Sequence, residues 1–529
     1  MKRIILISLL IISQLSFAQN RQKAAATTQK LATTMYIIDT FYVDRPDMPK
    51  LTEEAIIAML KTLDPHSTYI AAKDVKKTNE SLQGSFDGIG VTFQILRDTI
   101  LVVTAIPGGP SEKVGIMPGD KIVTIDGEEA FGKKVNNEFV MTRLRGNKGT
   151  KVTLGIRRGD DAELIDFEVV RDKIPLNSIN TYFMLDKKIG YIKLDQFAEP
   201  SLREFEEALS ALKKQGMKSL VFDLRGNGGG YLQTAYSLSS EFLGKNKMVV
   251  FTEGLRSPRT DYTTESDGNF RDGRLVVLID EGSASASEIL SGAVQDWDRG
   301  VLIGRRTFGK GLVQRPFTLP DGSMIRLTTS RYYTPTGRCI QRSYEKGSED
   351  YFKEKLRRFE HGEYFHADSI HFPDSLKYYT LNSGRTVYGG GGIMPDIFMP
   401  EDTTYSSKLF TNLVRKTVLN NYCLYYVLAN REQIHSQYPK FDDFNQKFII
   451  TDQMMDDVRT LAEEKGVTWD EEQYQRSEKL IKLRMKAIIA NSVWNIDKSY
   501  QVLWREDKMI LKAIEVLKSK KLYNEILGR

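Results

Sequence analysis

At 529 residues the chain exceeds an ordinary single domain, and 41% hydrophobic with 27% charged residues is a globular composition, which excludes wholesale disorder and a polytopic membrane protein. Its 75 basic and 69 acidic residues leave a formal charge of +6, an excess too small for so large a surface to argue for nucleic acid. Two cysteines, Cys339 and Cys423, cannot build a disulfide framework, and the five histidines include no helical pair at metal-ligand spacing, so neither a metal nor another cofactor is expected.

Lys2 and Arg3 precede an apolar run from Ile4 to Phe17, with the small residues Ser16 and Ala18 at its end. This predicts a secretory signal peptide over 1–18 and an exported, periplasmic or extracytoplasmic protein with no later membrane span. Residues 20–80 carry helical periodicity, as in Ile56, Ile57, Met59, Leu60 and Leu63, and end at the turn-like Asp64-Pro65-His66-Ser67. A small helical leader domain is expected there. Over 82–172, strand-like runs (Ile100 to Ala105, Lys121 to Ile125, Thr150 to Ile156, Leu164 to Val170) alternate with Gly-Pro turns and predict a compact, mostly β module.

From 173 to about 400 strand-like and helical stretches alternate, which argues for an α/β layer domain. Ile189 to Leu194, Ser219 to Leu224, Met248 to Thr252, Leu275 to Ile279 and Val301 to Ile303 are the apolar strands; Leu202 to Lys214 and Ser287 to Trp297 are the helices. Residues 344–390 lack clear periodicity and form an excursion from that domain. Residues 405–529 are helical and charge-rich, as in Leu480 to Ala490 and Met509 to Leu517, and predict a helical C-terminal domain suited to self-association or to an adaptor.

Candidate chemistry concentrates in three stretches of small residues and glycines. Asp280-Glu281-Gly282-Ser283-Ala284-Ser285-Ala286-Ser287-Glu288 joins an apolar strand to an amphipathic helix, where the unpaired amides of a helix start favour developing negative charge. The same residues fit an S-x-x-E capping box, with Ser285 merely satisfying helix amides, and three alternating serines leave the nucleophile open. Phe308-Gly309-Lys310-Gly311 sets a lysine between glycines in a tight loop. Such a lysine activates a serine only when neutral, so burial must lower its pKa from about 10.4; the competing reading is a solvated loop lysine. Asp223-Leu224-Arg225-Gly226-Asn227-Gly228-Gly229-Gly230 can form a backbone nest for an oxyanion, yet glycine clusters also serve as plain turns.

In this order, D-L-R-G-N-G-G-G, G-S-A-S-A-S-E-I and T-F-G-K-G-x-V-Q resemble the carboxyl-terminal processing, or tail-specific, serine peptidases. The resemblance implies Ser285 as nucleophile, Lys310 as base, Gln314 as the residue orienting the lysine, and an oxyanion hole from Ala286 with Gly229 or Gly230. It extends over about residues 30–400, apart from the 344–390 excursion, through Leu63-Asp64-Pro65-His66-Ser67, Tyr332-Tyr333-Thr334-Pro335-Thr336-Gly337-Arg338 and Gly391-Gly392-Ile393-Met394-Pro395-Asp396. The β module resembles the family's PDZ domain, with Gly88-Ile89-Gly90-Val91 to cup a peptide's terminal carboxylate and Gly115-Ile116-Met117-Pro118-Gly119-Asp120 as a structural turn.

The fold class implied is multidomain α/β: helical leader, PDZ domain, protease core of the crotonase and Clp-protease spiral type, and helical extension. The expected function is a Ser-Lys endopeptidase acting on exported proteins or peptides with free C-termini. The alternatives are a catalytically inert PDZ scaffold and an acyl-thioester enzyme of the same superfold.

Overall fold

The computed structural model describes residues 25–159 and 163–529, so the expected signal peptide at 1–18 lies outside the described residues. The chain divides into two compact units: residues up to Val75 with Gln314–Thr328, and Lys76–Val313 with Thr329–Arg529. In the first unit, residues 25–41 and Met48–Lys61 are helical, the latter started by Asp47, whose carboxylate accepts the Lys50 N–H at 3.1 Å. Thr68–Ile70 then pairs antiparallel with Met324–Arg326.

The second unit opens with the β module. Strands Val91–Leu96, Thr99–Ala105, Lys121–Ile125, Lys151–Arg157 and Ile165–Val170 lie side by side in that order, all antiparallel, with Val91–Leu96 on the edge. Ile100, Val102, Val152 and Leu154 fill its core on alternate strand positions, and a bulge between Ile122 and Thr124 lets both Ile122 and Ile125 join them. Arg97 and Asp98, at φ 47° and 58°, make the tight hairpin turn that right-handed strand twist favours.

The largest layer of this unit's α/β part is a six-stranded sheet. In chain order its elements are β1 (Thr181–Met184), β2 (Ile189–Lys193), α1 (Ser201–Lys214), β3 (Ser219–Asp223), α2 (Leu232–Ser240), β4 (Arg274–Ile279), α3 (Ala286–Asp296), β5 (Val301–Gly304), α4 (Ser348–Glu360) and β6 (Ile397–Phe398). The strands stand in the order β1 to β6; β1 runs antiparallel to β2 and all later pairs are parallel. Every residue of β2, β3 and β5 is buried, as parallel strands covered on both faces require. Leu220 and Phe222 of β3 point into one hydrophobic cluster with α1, α2 and α3. Val221, on the other face, meets Met509, Ile510 and Leu517 from helix α5 (Lys508–Lys518).

Three expectations change here. Met248–Gly254 is a strand, but it pairs antiparallel with Ser257–Thr263 and Arg331–Tyr333 in a separate sheet. An apolar run specifies burial and not its neighbours. The stretch 405–529 serves two cores: helices Lys408–Arg415, Val418–Gln437, Asp452–Glu464 and Glu471–Val493 form their own cluster, whereas α5 and the helix after it complete the core on one face of the six-stranded sheet. The 344–390 excursion contains helix α4. Cys339 and Cys423 are free thiols, and among the described residues no helix is long and apolar enough to cross a membrane.

Candidate active site

Ser285 is the N-cap of α3 and has φ 54° and ψ −110°, a conformation that side-chain-bearing residues adopt only under strain. Such strain is the mark of a serine on a sharp strand-to-helix turn. The two flanking serines are accounted for otherwise. Buried Ser283 donates its hydroxyl to Leu224 O at 2.8 Å, and buried Ser287 donates to Asn227 O at 2.8 Å, so both staple the turn to the glycine-rich loop. Ser285 is half-buried, and its hydroxyl donates to no described residue. The capping box is present in altered form: Ser285 N–H donates to Glu288 Oε2 at 2.8 Å, while Glu288 N–H donates to the Ser285 carbonyl at 2.8 Å.

The glycine-rich loop follows β3 and leans on this turn. A Cβ at Gly229, where φ is 103°, would stand 2.8 Å from Ser285 Cβ and 3.0 Å from Ala286 N, so only glycine permits the approach. The Gly229 N–H donates to Asn227 Oδ1 at 2.9 Å. Among the described residues the Gly230 and Ala286 N–H groups have no acceptor. Asp223 roots the loop. Burial by itself would raise its pKa, but Arg225 and Lys193 outweigh that and hold the carboxyl down at about 2. Arg225 also pairs with Asp507, the N-cap of α5, at 2.8 Å.

Lys310 sits between β5 and the next strand, half-buried. Its N–H donates to Glu288 Oε2 at 2.9 Å, the oxygen that also takes Ser285 N–H; sharing one acceptor fixes the two backbone nitrogens less than the sum of those bonds apart. Glu288 Oε1 accepts from Gly309 N at 2.7 Å and from the Thr307 hydroxyl. Burial raises the Glu288 pKa against these four donors, which lower it. The Tyr332 hydroxyl faces the carbonyls of both Ser285 and Lys310, at 3.1 Å from Ser285 O and closer to Lys310 O. Glu288 and Tyr332 are fully buried.

The excursion supports this loop from outside. Arg358 of α4 donates to Arg306 O at 2.7 Å and Thr307 O at 3.0 Å, and Tyr351 packs edge-on against Phe308. Gly391 to Asp396 closes the other side: Ile393 N and Thr307 Oγ1 bond at 2.6 Å, and Asp396 accepts Leu302 N at 2.8 Å. The segment around Thr336 and Arg338 anchors the end of α3, where Arg338 and Asp296 form an ion pair with no exposed surface.

Gln314 belongs to the other unit. There its Nε2 donates to Thr328 Oγ1 at 3.2 Å, and Thr328 Oγ1 donates to Asp64 Oδ1 at 3.1 Å. Asp64 in turn accepts the N–H groups of His66 and Ser67 at 2.8 and 2.9 Å and the Ser67 hydroxyl at 2.6 Å. The D-P-H-S turn thus orients one amide end of Gln314.

In the β module, Gly90 has φ 75°, and a Cβ there would stand 3.1 Å from Ile174 Cδ1 and 3.3 Å from Pro110 Cδ. Ile89 is buried, its carbonyl held by Ser111 N at 3.0 Å and Ser111 Oγ at 2.7 Å. Gly88 and Gly90 are buried as well; the half-buried Val91 begins the sheet's edge strand. Asp120 receives Met117 N at 2.8 Å and two Arg158 nitrogens at 2.8 Å, which makes the second glycine motif a braced turn.

Sequence reasoning missed Glu288, Tyr332 and Arg358. The first two lay inside quoted motifs, and their buried hydrogen bonds to sequence-distant backbone carried no local signal. Arg358 lay in a segment with no readable period.

Residues 188–347 match the model of peptidase family S41, 88–169 that of the PDZ domain, and 409–495 that of a family of unknown function. A carboxy-terminal-processing protease of Bartonella bacilliformis is 36% identical over 339 residues, 63% of this chain and 77% of that protein. The carboxy-terminal processing protease CtpA of Bacillus subtilis is 34% identical over 355 residues, 66% of this chain and 74% of its own. Among solved structures, a photosystem II D1 C-terminal processing protease matches at 25% identity with a TM-score of 0.36, covering 70% of this chain and 93% of its own. The chain is a serine-type peptidase with a PDZ domain, and it belongs to the carboxy-terminal processing proteases of family S41.

Proposed function

We propose that the protein is an exported endopeptidase that cleaves proteins from or near their C-termini with a Ser285–Lys310 dyad. The observation that carries this reading is the shared Glu288 oxygen, which holds the strained serine turn and the glycine-flanked lysine loop side by side. Ser285 Oγ attacks the scissile carbonyl carbon while neutral Lys310 Nζ takes the hydroxyl proton. The resulting oxyanion accepts from the N–H groups of Ala286 and Gly230, neither of which has an acceptor among the described residues; Gly229, whose N–H bonds Asn227, shapes the loop instead. Collapse breaks the C–N bond, the departing amine takes the proton from Lys310, and a water deprotonated by the same lysine then hydrolyses the acyl ester.

Gln314 has the lysine-orienting role. Its Nε2 is bound to Thr328, which turns its carbonyl oxygen into the end able to accept from an amine. Gly88 to Val91 take the substrate's terminal carboxylate, and the edge strand Val91–Leu96 adds the peptide as a further strand. Export follows from the charged start and apolar run over residues 1–18. The serial order of strands β2 to β6, all parallel, supports a core of the crotonase and Clp-protease spiral type.

Ser285→Ala and Lys310→Ala are each expected to lower turnover of an unfolded test protein by several orders of magnitude, with no further loss in the double variant. Lys310→Arg, permanently protonated, is expected to be equally inactive. Turnover by folded Lys310→Arg near the wild-type rate would sink the lysine as base.

A further inference from the structure

We propose that Glu288 and Tyr332 are positioning residues that together set the spacing of Ser285 and Lys310, gripping the two residues by opposite ends of their backbones. The proposal rests on the dyad assignment above. Glu288 Oε2 takes the N–H of Ser285 at 2.8 Å and of Lys310 at 2.9 Å, and the Tyr332 hydroxyl lies between the carbonyls of the same two residues. The dyad partners are 25 positions apart in sequence, on loops after different strands; the residues flanking the lysine are tied to Ser283, Arg342 and Gln341, whereas Glu288 and Tyr332 touch the backbones of both Ser285 and Lys310. Gly309, at φ 86°, and Gly311 flank it, so its backbone has wide conformational freedom unless held.

Neither group is placed to react itself. Glu288 is fully buried, and an ionised carboxylate accepts at about four lone-pair sites, here filled by Ser285 N, Lys310 N, Gly309 N and the Thr307 hydroxyl. Tyr332 is fully buried too, its single proton shared between two carbonyls and its ring packed in the cluster beneath α3. Both act through the backbone. The S-x-x-E pattern, read locally, is a helix cap; in the fold, its glutamate is the strut between two catalytic loops. Tyr332 also bonds Gly311 O through its own N–H at 3.0 Å, so it holds the lysine loop at consecutive residues. Freeing either contact lets the serine and lysine drift, and a misplacement of about 1 Å costs on the order of 100-fold in rate.

The test uses the full chain, with labelling of Ser285 by a fluorophosphonate and hydrolysis of a small ester as readouts of acylation. Tyr332→Phe is expected to label about 10- to 100-fold more slowly, with KM for the ester unchanged and thermal melting close to wild type. Glu288→Gln, which sets an N–H donor against N–H donors, is expected to show a loss at least as large. In a Lys310→Ala background the Tyr332→Phe change is expected to have no further effect, because spacing to a missing base no longer matters. Should Glu288→Gln fail to fold, Tyr332→Phe carries the test alone. Wild-type labelling by Tyr332→Phe, or an equal fractional loss in the Lys310→Ala background, would overturn the clamp and leave the dyad standing. Wild-type labelling by Lys310→Ala would instead overturn the dyad reading beneath it.

Discussion

The φ of 54° at Ser285 has a cost that can be separated from its use. A side-chain-bearing residue in that region is strained by about 1–3 kcal/mol, and alanine retains the strain where glycine relieves it. Ser285→Gly is therefore expected to be more stable than Ser285→Ala by about 1 kcal/mol in urea denaturation, after the entropy that glycine loses on folding is deducted, with both variants inactive. Equal stabilities would mean that the turn carries no strain worth the name. The neighbouring serines make the contrast. Ser283 and Ser287, in the same motif, donate to carbonyls of the glycine-rich loop and hold the turn against it.

At the scale of elements, the carboxyl end of β3 is held by charge. Asp223 is buried, bonded by the Tyr191 hydroxyl at 2.7 Å and by Arg225, and Arg225 reaches on to Asp507 at the start of α5. Burial opposes ionisation of Asp223, but Arg225 and Lys193 overcome it and place its folded pKa at about 2, below the ordinary 3.8. A depressed pKa stabilises the fold above the unfolded value, and that contribution disappears as pH falls from about 4 through about 2. Asp223→Asn is expected to flatten the loss of stability across that window, by about 2 kcal/mol, in denaturation curves collected at several pH values. An unchanged acid limb in the variant would show that Asp223 is not the group responsible. Because Asp507 caps the helix that covers the sheet's second face, the same charges tie the glycine-rich loop after β3 to the last helices of the chain.

For the molecule as a whole, the PDZ module and the protease core belong to one compact unit, while Gln314 and the Asp64 turn belong to the other. If Gly88 to Val91 read a terminal carboxylate, amidating the C-terminus of a long peptide substrate is expected to raise KM about tenfold or more. A small ester that reports acylation alone should be indifferent to the PDZ module. Equal cleavage of free-acid and amidated peptides below saturation would leave a general endopeptidase whose PDZ module has a structural part only. The helices of 409–495 have their own hydrophobic cluster, so their packing is independent of the sheet's, unlike that of α5.

Much was legible in the sequence because the physics there is local. Apolar runs specified β2 to β5, periodicity specified α1 and α3, and positive-φ demands at Gly90 and Gly229 showed as glycine clusters. The three motifs marked the loops that the structure brings together at the Glu288 carboxylate and the Gly229 turn, and family resemblance attached expected roles to Ser285, Lys310 and Gln314. What the sequence left open depended on partners distant in the chain. It could not say that Met248–Gly254 joins another sheet, because burial does not name a neighbour. It could not rank three serines, or show that the Gly229 amide is occupied and the Gly230 amide is not, because hydrogen bonds within and between loops decide which groups are taken. Nor could it turn a helix cap into a strut. Only the tertiary fold, by bringing Lys310 to the Glu288 carboxylate, gave that residue a second partner to hold.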